Sequence, residues 1–228
     1  MNTEPTSTPI VFLSGAGLPA WIWDEVRASL PVDSVVASYP KHPDATLRDY
    51  AEAALAQAPD GEFTVVAHSI GGVVASEIAA VAPERVAGLL GVAASVPAAG
   101  RSFLGALPAP QRHIVGLIMR VAGTRPPEKA IRSGLCAGLG EDDVARIVAD
   151  FAPESQRLYR DRVSARTLPT RIGYVVTTAD KEFPAALQGR YADELGTPWR
   201  REMATGHLPM LQDPATMGQI LKEFAAGA

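Results

Sequence analysis

Cysteine is almost absent from this sequence. Cys136 is the only cysteine in 228 residues, so the chain can form neither an internal disulfide nor a cysteine-based metal site. Its four histidines show no H-E-x-x-H motif or similar spacing of metal ligands. The sequence therefore predicts no metal site and no cofactor.

An excess of charge of one sign is also missing. The chain has 21 Lys and Arg against 25 Asp and Glu, a net charge of -4, and no block of like charge indicates a surface for nucleic acid or a tail for anionic surfaces. No stretch is long and apolar enough to span a bilayer, and the first nine residues lack the basic start and apolar core of a signal peptide. We expect a cytoplasmic protein that binds a small-molecule substrate, with no nucleic-acid or membrane partner, and a homodimer is an open alternative.

Short apolar runs separated by helical segments are what the sequence does contain. Five short runs are apolar without polar alternation, which is typical of parallel strands covered on both faces by helices, and a sixth strand is predicted more weakly. These predicted strands are residues 10–13, 35–37, 63–67, 86–93, 172–177 and, weakest, 199–203. The hydrophobic fraction of 47% is enough for one substantial core. The predicted class is α/β, with about six parallel strands.

The middle of the chain has a different pattern. Between Pro97 and about Pro169 the apolar residues recur at helical spacing, prolines divide the segments, and no comparable strand is found. We predict a flexible N-terminus over residues 1–8, a core domain over 9–96 and 170–228, and an all-helical cap over 97–169. In the core, Asp44 or Thr46 can cap the helix before the third strand, and Asp213 is the candidate N-cap of the last helix.

One turn carries a candidate nucleophile. In Val65–Gly72 an apolar strand ends at a serine, Ser69, and a helix-compatible segment follows. The flanking small residues Ala67 and Gly71 give the pattern A-x-S-x-G, close to the G-x-S-x-G nucleophile elbow, in which a sharp turn tolerates only small residues two positions away. An ordinary serine in a strand-to-helix turn is the alternative.

Two further residues can act with this serine. Asp180 follows the strand over residues 172–177, and His207 follows the weak last strand. The carboxyl ends of parallel strands meet at one edge of a sheet, so all three side chains are expected there. A serine needs a base to take its proton and a third group to orient that base. The order Ser, Asp, His is the one expected of an α/β-hydrolase sheet.

With these motifs the chain resembles the α/β-hydrolase superfamily, and most closely the small methylesterase and hydroxynitrile-lyase-like branch. The resemblance spans residues 10–224 and includes the closing motif Gly206–Leu211 before Asp213-Pro214. It implies an α/β-hydrolase fold with the helical cap inserted after the strand that follows the nucleophile helix. It also implies a carboxylic ester hydrolase that acts through an acyl-enzyme.

The resemblance assigns a role to each site residue. Ser69 would be the nucleophile, His207 the base and Asp180 the orienting acid. The backbone N–H groups of Ile70 and Ala16 would form the oxyanion hole.

Two positions depart from relatives. Many members have His-Gly at the start of the loop after the first strand, where this chain has Ser14-Gly15, which affects the support of that loop. In the hydroxynitrile lyases a lysine typically follows the catalytic histidine, and here the residue is Leu208. The second departure favours the hydrolytic branch over the lyase branch, and the resulting hypothesis is hydrolysis of a small or medium carboxylic ester or lactone.

Other functions and residues stay open. A lyase, a carbon-carbon bond hydrolase or a biosynthetic cyclase could use the same site, since one fold hosts many reactions, and a non-catalytic binding protein is the alternative of another class. His68 is interpreted as structural or supporting, because strand alternation directs it away from Ser69. Tyr159, Arg101 and Arg160 are interpreted as surface or cap residues, with the pocket lining as the alternative.

Overall fold

The computed structural model describes residues 8–227, so the flexible N-terminus predicted over 1–8 lies outside the described residues apart from Thr8. Within the described part, six strands form one parallel sheet in the order β2-β1-β3-β4-β5-β6. They are β1 (Ile10–Leu13), β2 (Ser34–Val36), β3 (Phe63–His68), β4 (Val86–Val92), β5 (Arg171–Thr177) and β6 (Arg200–Met203). The predicted α/β class with about six parallel strands is confirmed.

Helices connect the strands and cover the sheet. They are α1 (Asp24–Ala28), α2 (Leu47–Gln57), α3 (Gly71–Val81), α4 (Phe103–Ala106), α5 (Gln111–Ala122), α6 (Glu128–Ala130), α7 (Glu141–Asp150), α8 (Gln156–Arg160), α9 (Ala185–Glu194), α10 (Pro209–Gln212) and α11 (Pro214–Ala226). Thr46, one of the two predicted caps, accepts a hydrogen bond from the Asp49 N–H while the Asp49 carboxylate accepts one from the Thr46 N–H. Asp213 caps α11 as predicted, by accepting a hydrogen bond from the Thr216 N–H at 3.0 Å. These capping groups satisfy N–H donors that have no partner within the helix.

Each face of the sheet has its own hydrophobic cluster. Successive side chains of a strand point to opposite faces, so neighbours such as Val65 and Val66 of β3 belong to different clusters. The cluster of Val65 includes residues of α2, α3 and α9, and the cluster of Val66 includes residues of α1 and α11. Both faces of the central strands are therefore buried, which explains why β3 and β4 are apolar without alternation, whereas the edge strand β6 is polar and partly exposed.

The segment between β4 and β5 is helical. Helices α4 to α8 all lie between residues 97 and 169, α6 continues into a π-helical turn over Ile131–Leu135, and no strand is found there among the described residues. The boundaries proposed for the cap and the core stay a prediction, whereas the helical character of the segment is observed. The short helix α10 was not predicted and begins two residues after His207.

Candidate active site

Ser69 lies in a strained turn between β3 and α3. Its φ angle is +54°, in the left-handed region that side chains other than glycine rarely adopt. The turn brings α3 against β1, because a Cβ atom on Gly71 would lie only 2.5 Å from the Leu13 carbonyl oxygen. The segment that follows the neighbouring strand β4 also fixes the turn, because the Ser69 carbonyl accepts a hydrogen bond from the Ser95 N–H at 2.8 Å. The local sequence folds as the elbow motif predicts.

Ser69, His207 and Asp180 are joined by hydrogen bonds. The Ser69 hydroxyl lies 2.9 Å from His207 Nε2, and His207 Nδ1 lies 2.7 Å from Asp180 Oδ2. The three residues come from loops after β3, β6 and β5, so the carboxyl edge of the sheet brings them together as expected. His207 and Asp180 are buried, and the pair is therefore shielded from water.

The carboxylate of Asp180 is fixed by a tight turn. Its Oδ1 accepts hydrogen bonds from the N–H groups of Glu182 and Phe183, and its Oδ2 accepts one from the Thr177 hydroxyl. Burial raises the pKa of Asp180, but the hydrogen bond and charge of His207 and these other donors outweigh it, so the pKa is lowered from its usual value. An ionised Asp180 can only accept, so the proton on the facing nitrogen of His207 lies on Nδ1. Nε2 is left free to receive the proton of Ser69.

His68 supports the backbone of His207. The His68 side chain is fully buried, and its Nε2 lies 2.8 Å from the His207 carbonyl oxygen, which can only accept, so Nε2 carries the hydrogen. Its other nitrogen, Nδ1, has no hydrogen-bond partner within the described residues. Burial and the nearby His207 lower the pKa of His68 to about 3, so the ring is neutral. Contacts across 139 residues have no local sequence signal, and the interpretation of His68 as supporting did not identify this partner.

The two predicted oxyanion donors lie beside Ser69. Ile70 is buried at the start of α3, and Ala16 lies in the loop after β1. Among the described residues, neither backbone N–H donates a hydrogen bond to another group of the chain. A Cβ atom on Gly15 would lie 3.0 Å from Ser69 Cβ, so the Ala16 loop passes directly against the serine. Both N–H groups therefore belong to segments that lie against Ser69 and have no partner among the described residues.

Ser14, which stands where many relatives have histidine, is held by two aromatic side chains. The Trp23 indole donates a hydrogen bond to the Ser14 hydroxyl oxygen at 3.2 Å, and the Tyr39 hydroxyl donates one to the Ser14 carbonyl oxygen at 2.9 Å. The start of the loop is therefore supported without a histidine.

Comparison with family models gives a match to the alpha/beta hydrolase family over residues 10–218. The chain belongs to this family. The predicted superfamily and fold are thereby confirmed.

Solved structures of other α/β-hydrolases have the same fold. An extracellular α/β-hydrolase from a Paenibacillus species superposes with a TM-score of 0.81 at 19% identity, covering 95% of this chain and 98% of its own. A pyrethroid hydrolase from Sphingobium faniae gives 0.75 at 19% identity, with 96% and 97% covered. A methylesterase from Arabidopsis gives 0.76 at 17% identity, with 97% and 100% covered. Comparison with curated protein sequences gives no match.

The cap of this α/β-hydrolase covers a pocket above Ser69 and His207. The cavity measures about 400 Å³. Most of its lining is apolar and comes from the cap, including Leu107, Val115, Ile118, Met119, Ile131, Leu135, Phe151 and Tyr159. Tyr159 thus lines the pocket, contrary to its interpretation as a packing residue, whereas Arg101 and Arg160 are not among the lining residues. Glu182, which lies two residues after Asp180, is a charged group of the lining.

Residues 8–227 contain neither a cluster of metal-ligating side chains nor a helix that could span a membrane. No group of three or more His, Cys, Asp or Glu side chains is placed there to hold a metal ion. In the same residues, no helix has the length and hydropathy needed to cross a bilayer.

Proposed function

We propose that this chain is a serine hydrolase that cleaves a small or medium carboxylic ester or lactone. The observation that carries the proposal is the continuous hydrogen-bonded series Ser69, His207, Asp180, which ends at the floor of the apolar pocket. A nucleophile, a base and an orienting acid in contact are the arrangement that acyl transfer requires.

The first half of the reaction forms an acyl-enzyme. Ser69 Oγ attacks the carbonyl carbon of the ester while its proton passes to His207 Nε2. Asp180 holds the ring of His207 and stabilises its positive charge. The proton on Nε2 then passes to the alkoxy leaving group as the carbon–oxygen bond breaks, and the alcohol departs.

The second half uses water. A water molecule gives its proton to His207 Nε2 and attacks the acyl carbon, and the proton then returns to Ser69 as the acid is released. In both halves the carbonyl oxygen becomes negatively charged, and the N–H groups of Ile70 and Ala16 would donate hydrogen bonds to it. No cofactor is needed in this scheme.

The pocket supports an apolar substrate of modest size. Its volume of about 400 Å³ lies within the usual range for small-molecule sites, and its lining is mainly aliphatic and aromatic. The Arabidopsis protein is a methylesterase by name and the Sphingobium protein a hydrolase, which supports the proposal of an ester substrate here. Leu208 offers no cation to a leaving group beside His207, so it favours hydrolysis over cyanide elimination.

A fluorophosphonate probe tests the proposed nucleophile. The probe should form one covalent adduct, mapped by peptide mass spectrometry to Ser69, and the chain should hydrolyse p-nitrophenyl esters of short and medium acids. Ser69→Ala should abolish both the adduct and the turnover. An adduct on another residue, or none in the folded chain, would refute the mechanism. Turnover by elimination without any ester hydrolysis would instead favour a lyase in the same site.

A further inference from the structure

The loop that carries Ala16 is held by the cap as well as by the sheet. Glu154, just before α8, accepts a hydrogen bond from the Gly17 N–H at 3.1 Å through Oε1. The Gly17 carbonyl in turn accepts a hydrogen bond from the Ala152 N–H at 3.1 Å. Both backbone groups of Gly17 are therefore bonded to a segment more than 130 residues away.

Glu154 is itself fixed by a buried tyrosine. The hydroxyl of Tyr50, on α2, donates a hydrogen bond to Glu154 Oε2 at 2.8 Å and accepts one from the Ser155 N–H at 3.0 Å. Tyr50 is fully buried, so the carboxylate has one oxygen held by the core and the other by the loop. Burial raises the pKa of Glu154, and its hydrogen bonds from Tyr50 and Gly17 oppose that rise.

The loop and the cap approach each other closely at Gly17, and this approach requires a glycine. Gly17 has a φ angle of +70°, and a Cβ atom there would lie 2.4 Å from the ring of Phe151. On the other side of Ala16, the Ser14 carbonyl is held by Tyr39. The peptide between Gly15 and Ala16 is thus bracketed by fixed groups, and its N–H is left without a partner in the described chain.

We propose that Glu154 is a positioning residue for the oxyanion hole: its carboxylate ties Gly17 to Tyr50 and thereby aims the Ala16 N–H at the substrate oxygen. The inference rests on the proposed serine-hydrolase function and deepens it. Glu154 acts through the loop and does not itself touch the reacting atoms. It also makes formation of the oxyanion hole depend on the cap, because Glu154 and Ala152 both belong to the segment between α7 and α8.

Two substitutions separate this role from simple packing. Glu154→Gln keeps an oxygen that can accept the Gly17 N–H, so kcat should stay within about threefold of the original chain. Glu154→Ala removes the acceptor, and kcat should fall about tenfold or more, a part of the roughly 10²–10³ that loss of a whole oxyanion donor costs. Tyr50→Phe removes the donor to Oε2 and should give a smaller loss in the same direction. Gln156→Ala, which breaks a hydrogen bond from α8 to the Met119 carbonyl away from the loop, is the matched control.

The decisive readout is a trifluoromethyl ketone with the acyl chain of the best ester substrate. Ser69 adds to its carbonyl carbon, the serine proton passes to His207, and the oxygen becomes an oxyanion, so its Ki reports the oxyanion hole. In Glu154→Ala this Ki should rise in parallel with the fall in kcat, while KM and the fluorophosphonate-titrated active-site concentration change little.

Several outcomes overturn the proposal. These are an unchanged kcat in Glu154→Ala, a fall in kcat with an unchanged Ki, or an equal loss in Gln156→Ala. If Glu154→Ala does not fold, the same comparison is made with Tyr50→Phe, and an unchanged Ki there overturns the proposal. Failure of the proposed function would be visible in the original chain as absent ester turnover, whereas failure of the Glu154 role leaves the original chain active.

Discussion

The floor and the roof of the pocket are built in different ways. The floor is the carboxyl edge of the sheet, where His207 and Asp180 are buried and every polar atom of the Ser69 series has a fixed partner. The roof is the cap, whose longest helix, α5, has no buried residue and leaves Leu117 and Val121 62% and 81% exposed. Both contact the same cavity, and parts of the cap such as Ile147 and Leu158 are buried in the core clusters, whereas α5 adds only partly buried side chains to them.

This difference in packing agrees with the proposed roles of the two parts, with the reaction at the floor and the selection of the substrate at the roof. Proton transfer and oxyanion binding require side chains held within fractions of an ångström, which dense packing and hydrogen bonds provide. The fit of an apolar substrate tolerates looser walls, and short helices with little burial can change without unfolding the sheet. Glu154 is the exception proposed above, because it joins the cap to the loop that carries Ala16.

Asp180→Asn should have the largest effect on activity, because it changes a residue of the hydrogen-bonded series in the floor. An amide at this position can donate to His207 Nδ1 and so leave the proton on Nε2, facing Ser69, where it blocks general-base catalysis. We expect kcat for a p-nitrophenyl ester to fall by about 10⁴-fold with little change in KM. Steady-state kinetics check this, with Asp193→Asn, a change to an exposed acid of α9 that pairs with Arg200, as the control. Equal activity of the two variants would contradict the assignment of Asp180.

Truncating one leucine of the sheet and one leucine of the cap tests the difference in packing. Leu90 of β4 is fully buried, whereas Leu117 of α5 is mostly exposed. Leu90→Ala should lower the free energy of unfolding by about 2–5 kcal/mol, because it leaves a cavity in the core. Leu117→Ala should change it by less than about 0.5 kcal/mol. Urea unfolding followed by circular dichroism measures both, and similar losses would show that α5 is packed in solution.

Substitution of two helical glycines compares the space available at the elbow with that on helix α9. A Cβ atom on Gly71 would lie 2.5 Å from the Leu13 carbonyl, while one on Gly189 of α9 meets no atom within 4 Å. Gly71→Ala should therefore destabilise the chain by about 1–3 kcal/mol and lower kcat by moving Ser69. Gly189→Ala should be neutral or stabilise by up to about 1 kcal/mol, since alanine is the better helix former. Thermal unfolding and ester turnover of both variants provide the check.

The sequence predicts the floor better than the roof, for physical reasons. Strands buried on both faces read as unbroken apolar runs, and the sheet places whatever follows them at one edge, so Ser69, Asp180 and His207 could be predicted to meet. The contacts that support them had no such signal. His68 meets the His207 carbonyl across 139 residues, and Glu154 meets Tyr50 across 104. Such pairs depend on how the loops and cap pack in three dimensions, and local patterns do not encode that packing.

The pH dependence of stability tests the packing of the floor at one buried side chain, that of His68. The pKa of His68 is about 3 in the folded chain and near 6.5 in an unfolded one. Between these values the unfolded state binds more protons, so stability falls as the pH falls, by at most about 1.4 kcal/mol per pH unit from this group. Asp180 has a lowered pKa, so its own contribution is lost only below about pH 4.

Urea unfolding of the original chain and of a His68 variant at pH 7 and pH 5 therefore isolates the contribution of His68. His68→Gln can still donate its amide N–H to the His207 carbonyl but has no proton to gain, so its loss of stability between the two pH values should be smaller than that of the original chain. His113→Gln removes an exposed histidine of α5 and is the control from the cap. If His68→Gln and the original chain lose the same stability, then His68 is not held neutral by burial, and the floor is more hydrated than its packing indicates.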